Sequence, residues 1–366
     1  MTGALLAIHG LLHTLGFLKA WNLAAVPQLS GRTTVPLSPA AVRAVGALWL
    51  VAALALVAAA VLRWLGRDAW WMVAAPALGL SQLLIVLQWS DAWAGTIANV
   101  LVAVAVAASA GISRFHAENA DHVRALLARA PRSEAPILRA EDAAGLPAPV
   151  QRWLHASGAV GRPRAQVVRL HQRGGMRTAP DQAYMPMEAE QYFTVDDPGF
   201  VWTVDVTMMR VVPVVGRDSF AAGRGRMLIK AGGLVTVADG TGPTFDQGTA
   251  LRFLGEIVWF PSAAASPSIA WTAVDDRHAQ ATIATAGTTA SALFEFDDRD
   301  RVVRLTADRY YGGRTLERWT IPITEWRAVR GVEIPVRGGA VWKLAAGDFD
   351  YFQWEIVDVE VNPAVG

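Results

Sequence analysis

The chain has 366 residues, with 33 Lys/Arg against 32 Asp/Glu and no cysteine. A formal net charge of +1 offers no basic field for nucleic acid, and without cysteine there is no disulfide, thiolate nucleophile or cysteine zinc site. The charges are unevenly spread: the first 113 residues hold five Lys/Arg and two acids, against 28 and 30 in the remainder.

That first part is a series of uncharged runs. The opening MTGALLAIHGLLHTLGFLKAWNLAAV lacks the basic region and small-residue cleavage site of a signal peptide and is expected to be a first span. Nineteen apolar residues lie between Arg43 and Arg63, and two twenty-two-residue runs, Ala69–Ser90 and Ala92–Ser113, are parted only by Asp91. Runs of ~20 apolar residues match a helical bilayer crossing, so residues 1–113 are expected to form a four-helix transmembrane bundle. Trp64, Trp70, Trp71, Trp89 and Trp93 sit at the run ends, as an interfacial aromatic belt requires. Lys19, Arg32 and Arg43 fall on one side, and Arg63, Arg67, Arg114, Arg124, Arg129 and Arg132 on the other. This bias predicts a multi-pass protein of the cell membrane with its N-terminus and C-terminal domain in the cytoplasm.

Polar groups inside such spans are costly and candidate functional residues. Here they are His9, His13, Gln82 and Asn99. His9 and His13, at i and i+4, share a helix face. They either bind haem iron or a metal, relay a proton, or hydrogen-bond to Gln82, Gln88 or Asn99 within the bundle. Gly10, Gly16, Gly79 and Gly95 have the character of close-packing positions.

Residues 114–146 read as a charged helical linker, its first helix stopped by Pro131. Pro149–Ser157 is a short amphipathic helix with Val150, Trp153 and Leu154 on one face and Gly158 as its end signal. From Gln166 the period becomes two. In Phe200–Met208 the residues Phe200, Trp202, Val204, Val206 and Met208 face one way. Comparable segments recur from Val167–Gln172 to Tyr351–Val361, joined by turns rich in Asp and Gly. Around a dozen strands without alternating helices predict a mainly antiparallel β domain over residues 147–366. One helix, Asp246–Phe260, interrupts it and is expected to pack on the concave side of a curved sheet or half-barrel.

Several stretches carry a resemblance: His9–Ala20, Ser81–Asn99, RFLGEIVWFPSA at Arg252–Ala263, and Ile269–Asp276. Together they resemble an uncharacterised bacterial family of membrane proteins whose soluble part is a domain of unknown function. The likeness covers nearly the whole chain and implies no activity. The order of elements is also similar to the half-barrel of LolA-like lipoprotein carriers, which implies a cup for acyl chains and carries no residue across.

Arg252 and Glu256, at i and i+4 beside Trp259, form either a surface ion pair or the polar edge of such a cup. Trp202, Trp259 and Trp271 are its candidate apolar walls, with Trp319, Trp342 and Trp354 as further aromatics of the domain. The tetrads Asp275–His278 and Asp297–Asp300 lie between strand patterns, where turns are the default. A metal or acid–base role is the sharper alternative for the first. Gly223-Arg224-Gly225-Arg226 reads as a strand turn. No catalytic motif is present, and the sequence implies no cofactor, no metal site and no nucleic-acid partner. The expected function is binding of membrane lipid or another apolar small molecule. The rival is an enzyme acting on a lipid-derived substrate through Arg252, Glu256 and the Asp275/Asp276/His278 turn.

Overall fold

The computed structural model describes residues 2–131, 133–209, 211–285 and 287–364. Arg132, one of the six positive residues counted above, lies outside them. The chain divides into two compact units, one of Met1–Arg114 with Gly232–Leu234 and one of Phe115–Ala231 with Val235–Gly366.

The first unit is helical. Helices α1 (Thr2–Ala20), α2 (Pro39–Trp64) and α3 (Trp70–Leu87) are followed by a single turn, α4 (Trp89–Ala92), and by α5 (Gly95–Leu127). Four of these, α1, α2, α3 and α5, are long and apolar enough to cross a membrane, consistent with a multi-pass membrane protein. Ser38 starts α2 by accepting from the Ala41 amide at 3.3 Å, with Pro39 in the first turn. Small residues let the helices close up: a Cβ on Gly10 would lie 3.0 Å from the Ala53 carbonyl, and one on Gly16 2.7 Å from the Trp49 ring. Gly79 has open space instead, so it is not a close-packing position.

Helix α5 does not stop at Ser113. It runs on to Leu127, and residues 115–127 belong to the second unit. The reason is a sparse buried stripe inside the charged run: Phe115, Asn119 and Leu126 are each at most 5% exposed. Asn119 Oδ1 accepts from Arg217 Nη1 at 2.8 Å, and the Arg217 guanidinium lies 5.5 Å above the Phe115 ring.

The second unit is one sheet of thirteen antiparallel strands, curled into a half-barrel. Its strands are β1 (Val167–Met176), β2 (Met185–Thr194), β3 (Gly199–Met208), β4 (Val212–Ala221), β5 (Arg224–Ala231), β6 (Val235–Gly240), β7 (Ile269–Asp275), β8 (His278–Thr285), β9 (Thr288–Phe296), β10 (Val302–Tyr311), β11 (Thr315–Val329), β12 (Val332–Leu344) and β13 (Gly347–Val361). The spatial order runs from β6 back to β1, then β13 back to β7. Strands β6 and β7, neighbours in sequence, therefore lie at opposite edges. The segment between them must cross the sheet. It does so as helix α7 (Pro243–Glu256) and two 3₁₀ turns, Ile257–Trp259 and Pro261–Ala265, so the crossing helix begins and ends earlier than its apolar pattern suggests. The short helix α6 (Ala148–Ala156) buries Val150, Trp153 and Leu154 as expected, with Trp153 against Phe294 and Phe296. Gly158 ends it at φ +75°.

The core lies between α7 and the sheet. Phe193, Phe200 and Phe220, on β2, β3 and β4, are fully buried with Phe253 and Phe260. Ring centroids of Phe193 stand 4.8 Å from Phe260 and 6.4 Å from Phe253. Phe253→Ala is expected to destabilise this unit by about 3–5 kcal/mol, read from the denaturant midpoint of tryptophan fluorescence in the full-length protein. A loss below about 1 kcal/mol would contradict the docking of α7 through that ring.

Candidate functional site

Helix α7 carries Gly248, Arg252 and Glu256 at successive i, i+4 positions, so all three share a face. Arg252 Nε donates to Glu256 Oε1 at 2.7 Å, Nη1 to Asp218 Oδ2 at 2.8 Å and Nη2 to Gln191 Oε1 at 3.3 Å. Gln191 closes the ring, its Nε2 donating to Glu256 Oε2 at 2.7 Å. The guanidinium lies 4.6 Å from the Trp202 ring centroid and 5.0 Å from that of Phe200. The Arg252 and Glu256 side chains are only 14% and 9% exposed, so the pair is not a surface salt bridge. It is an interior cluster, docked on strands β2, β3 and β4.

One guanidinium serves two carboxyls. Burial pushes Glu256 and Asp218 above the ordinary carboxylate range, against the pull of Arg252. Burial also works against the charge of Arg252, but Glu256 and Asp218 beside it hold its pKa up.

This cluster forms part of the wall of a cavity of about 480 Å³ between α7 and the sheet. Trp202, Trp259, Trp319, Trp342 and Trp354 line it, and so do Arg177, Arg309 and Tyr351. Arg309 Nη1 donates to Tyr351 Oη at 3.4 Å, and Tyr351 Oη also accepts from Trp319 Nε1 at 3.1 Å. The Arg309 guanidinium lies 4.9 Å from the Trp319 ring and 5.7 Å from that of Trp342. Gly248 makes room for it: a Cβ there would stand 3.1 Å from Arg309 Nε. The indole Nε1 atoms of Trp202 and Trp259 are buried without a protein acceptor. Trp259 also borders a second cavity of about 800 Å³, together with Phe260, Ile334 and Val359.

Trp202, Arg252, Glu256 and Trp259 are thus brought together around one cavity. Trp271 is elsewhere, on edge strand β7, where its Nε1 donates to the Ala264 carbonyl at 2.9 Å and its ring meets Phe294. Asp275–His278 is the β7–β8 turn, with His278 Nδ1 2.8 Å from Asp275 Oδ1, and Asp297–Asp300 is the β9–β10 turn. Neither lines the cavity, so the acid–base constellation sketched from Arg252, Glu256 and that turn is not assembled. No cluster of three or more His, Asp or Glu suited to a metal occurs among the described residues. Of Gly223–Arg226 only Gly223 lies in the β4–β5 turn, and Arg224–Arg226 open β5, where the Gly225 amide donates to the buried side chain of Asp246 at 2.7 Å. Sequence reasoning missed Asp218, Gln191, Arg309 and Tyr351 as site residues. Asp218 lies on β4, a strand whose Pro213 and Gly216 interrupt the alternation that reveals the others.

In the helical unit the four polar candidates converge. His9 Nε2 meets Asn99 Oδ1 at 2.8 Å, and His13 Nε2 meets Ser81 Oγ at 2.7 Å. Ser81 Oγ donates to Asn99 Oδ1 at 3.1 Å, Asn99 Nδ2 to Gln82 Oε1 at 3.0 Å, and Gln82 Nε2 to Thr96 Oγ1 at 3.1 Å. His13 Nδ1 bonds the His9 carbonyl at 2.8 Å. Each His Nε2 already has a side-chain partner, Asn99 for His9 but Ser81 for His13, while Gln88 accepts from Trp49 Nε1 at 2.8 Å instead.

Fold and site together define a half-barrel domain with an internal aromatic cavity, joined in one chain to helices able to span a membrane. Residues 136–354 match the model of a family of unknown function, DUF6544, and the chain belongs to that family. No curated protein and no solved structure matches it, so the likeness to LolA-like carriers rests on element order alone.

The raised pKa of Glu256 has a checkable consequence. A carboxyl whose folded-state pKa exceeds its unfolded value binds its proton more tightly in the native state. Its stabilising contribution is present in acid and is lost as pH rises from about 4 through the raised value. Glu256→Gln imitates the protonated form at every pH. The melting temperature of Glu256→Gln minus that of the wild type is therefore expected to grow across this window. A difference that stays flat across it would mean that Arg252 keeps Glu256 ionised in the folded protein.

Proposed function

We propose that the β domain is a binding module that holds a lipid or another apolar molecule in the cavity under α7, at a cell membrane to which the four long helices anchor it. The observation that carries this reading is the cavity itself. Its volume of about 480 Å³ and its tryptophan walls with a few placed polar groups have the form of a small-molecule site. The raised carboxyls of Asp218 and Glu256 are the one feature that favours the rival class, an enzyme acting on a lipid-derived substrate.

The test is native mass spectrometry of the full-length protein released from detergent. We expect a lipid-sized adduct on the wild type and its loss in Ala340→Phe, which narrows the cavity from β12, with the melting temperature maintained. A wild type without adduct, or equal occupancy in a folded Ala340→Phe, would defeat the reading.

The bias of positive residues supports a cytoplasmic β domain. A C-terminal fluorescent-protein fusion is then expected to be bright and a C-terminal alkaline-phosphatase fusion inactive. The reverse pattern would put the domain on the other side of the membrane.

A further inference from the structure

We infer that the cavity is built for an anionic amphiphile, its acidic head group received by Arg309 and its hydrocarbon part by the tryptophan walls. The inference rests on the binding role proposed above and names the ligand class. Three guanidiniums line the cavity, those of Arg177, Arg252 and Arg309, against the two carboxyls of Asp218 and Glu256. Both carboxyls are committed to Arg252. Arg252, the residue that the i, i+4 pattern suggests for a head group, is thus already neutralised inside the protein.

Arg309 is in the opposite condition. Among the described residues it forms no ion pair, and of the five N–H donors of a guanidinium one reaches a protein acceptor, Tyr351 Oη at 3.4 Å. Its planar face is held by Trp319 and Trp342, and Trp342 is itself stacked on Tyr351, 6.0 Å between centroids. The side chain is therefore fixed in place while its donor fork stays uncommitted, and that fork matches carboxylate and phosphate oxygens. Arg177 adds positive charge to the same wall. Its Nε and Nη1 donate only to the backbone carbonyls of Asp350 and Pro180, at 2.6 and 2.7 Å. The carboxyl that acts on Arg309, that of Asp218, is hydrogen-bonded to Arg252 instead, so the Arg309 fork has no bonded counter-charge, and the remaining walls, Trp202, Trp259, Trp354 and Ile321, suit a chain rather than a free anion.

The experiment uses the full-length protein in phosphatidylcholine nanodiscs, a photoreactive palmitic acid and the corresponding photoreactive alcohol, with labelled peptides mapped by mass spectrometry. Wild-type cavity peptides are expected to take up the acid about tenfold more than the alcohol. Arg309→Gln should erase this preference without lowering alcohol labelling. Arg309→Lys and Tyr351→Phe, both gentler on the wall, should reduce it partway. Equal labelling by acid and alcohol in the wild type, or an unchanged ratio in all three variants, overturns the head-group assignment and leaves the cavity reading standing. Cavity peptides labelled by neither probe overturn both. Loss of the acid label in excess inorganic phosphate assigns the site to a small free anion and overturns the amphiphile.

Discussion

The β domain depends on one crossing. Because β6 and β7 are sequential yet occupy opposite edges of a thirteen-strand sheet, the chain between them has to pass over the concave face. A helix satisfies its own backbone on that path, but α7 also carries Arg252 and Glu256 into the interior. Isolated charges there would cost several kcal/mol each. The sheet answers with Asp218 from β4 and Gln191 from β2, both within hydrogen-bond reach of the pair. This cluster seats the helix at one position, since sliding α7 along the sheet would carry Arg252 and Glu256 away from Asp218 and Gln191 and leave the Asp218 carboxyl without its guanidinium.

The same crossing explains why one side of the helix is packed and the other hollow. Towards β2, β3 and β4 the phenylalanine rings of Phe193, Phe200 and Phe220 close against Phe253 and Phe260. Towards β10–β13 the helix presents Gly248 and Gly255, and a Cβ on Gly255 would already stand 2.7 Å from Ile321 Cδ1. The opposing side chains are anchored, Trp319 and Trp342 to Tyr351 and Trp354 to Trp259. They form a wall instead of filling the gap. Rings held in this way resist closing over the gap, as a standing cavity requires.

Much of this was legible in the sequence, and the failures have physical causes. Long uncharged runs and period-two segments mark the two architectures because membrane helices and half-buried strands each impose their own spacing. Strand β4 shows no such period, because Pro213, Gly216 and the adjacent Arg217 and Asp218 break the alternation. Both charged residues are nevertheless engaged, Arg217 on Asn119 and Asp218 on Arg252, one on each face of the strand. The whole local pattern thus looks polar while being shielded on both sides. Trp271 looked equivalent to Trp202, since both sit on inward-pointing strand positions. What separates them is how far the helix reaches over the sheet, a tertiary fact with no local signature. For the same reason Arg309 and Tyr351, distant in sequence and joined only through β10–β13, gave no motif.

The helical unit, whose long helices are apolar enough to cross a membrane, answers a related problem. Helix α1 is the least apolar of the four candidate spans, and on transfer terms alone it would be the weakest inserted. Its His9 and His13 reach α5 through Asn99 and α3 through Ser81, and Ser81, Gln82, Asn99 and Thr96 bond one another. In a membrane span a polar side chain without a partner would be costly, and these hydrogen bonds tie α1 to its neighbours. The close approach at Gly10 and Gly16 brings α1 near enough to α2 for the bundle to shelter both histidines. The polarity that makes α1 a poor span by composition is therefore the means by which the bundle keeps it.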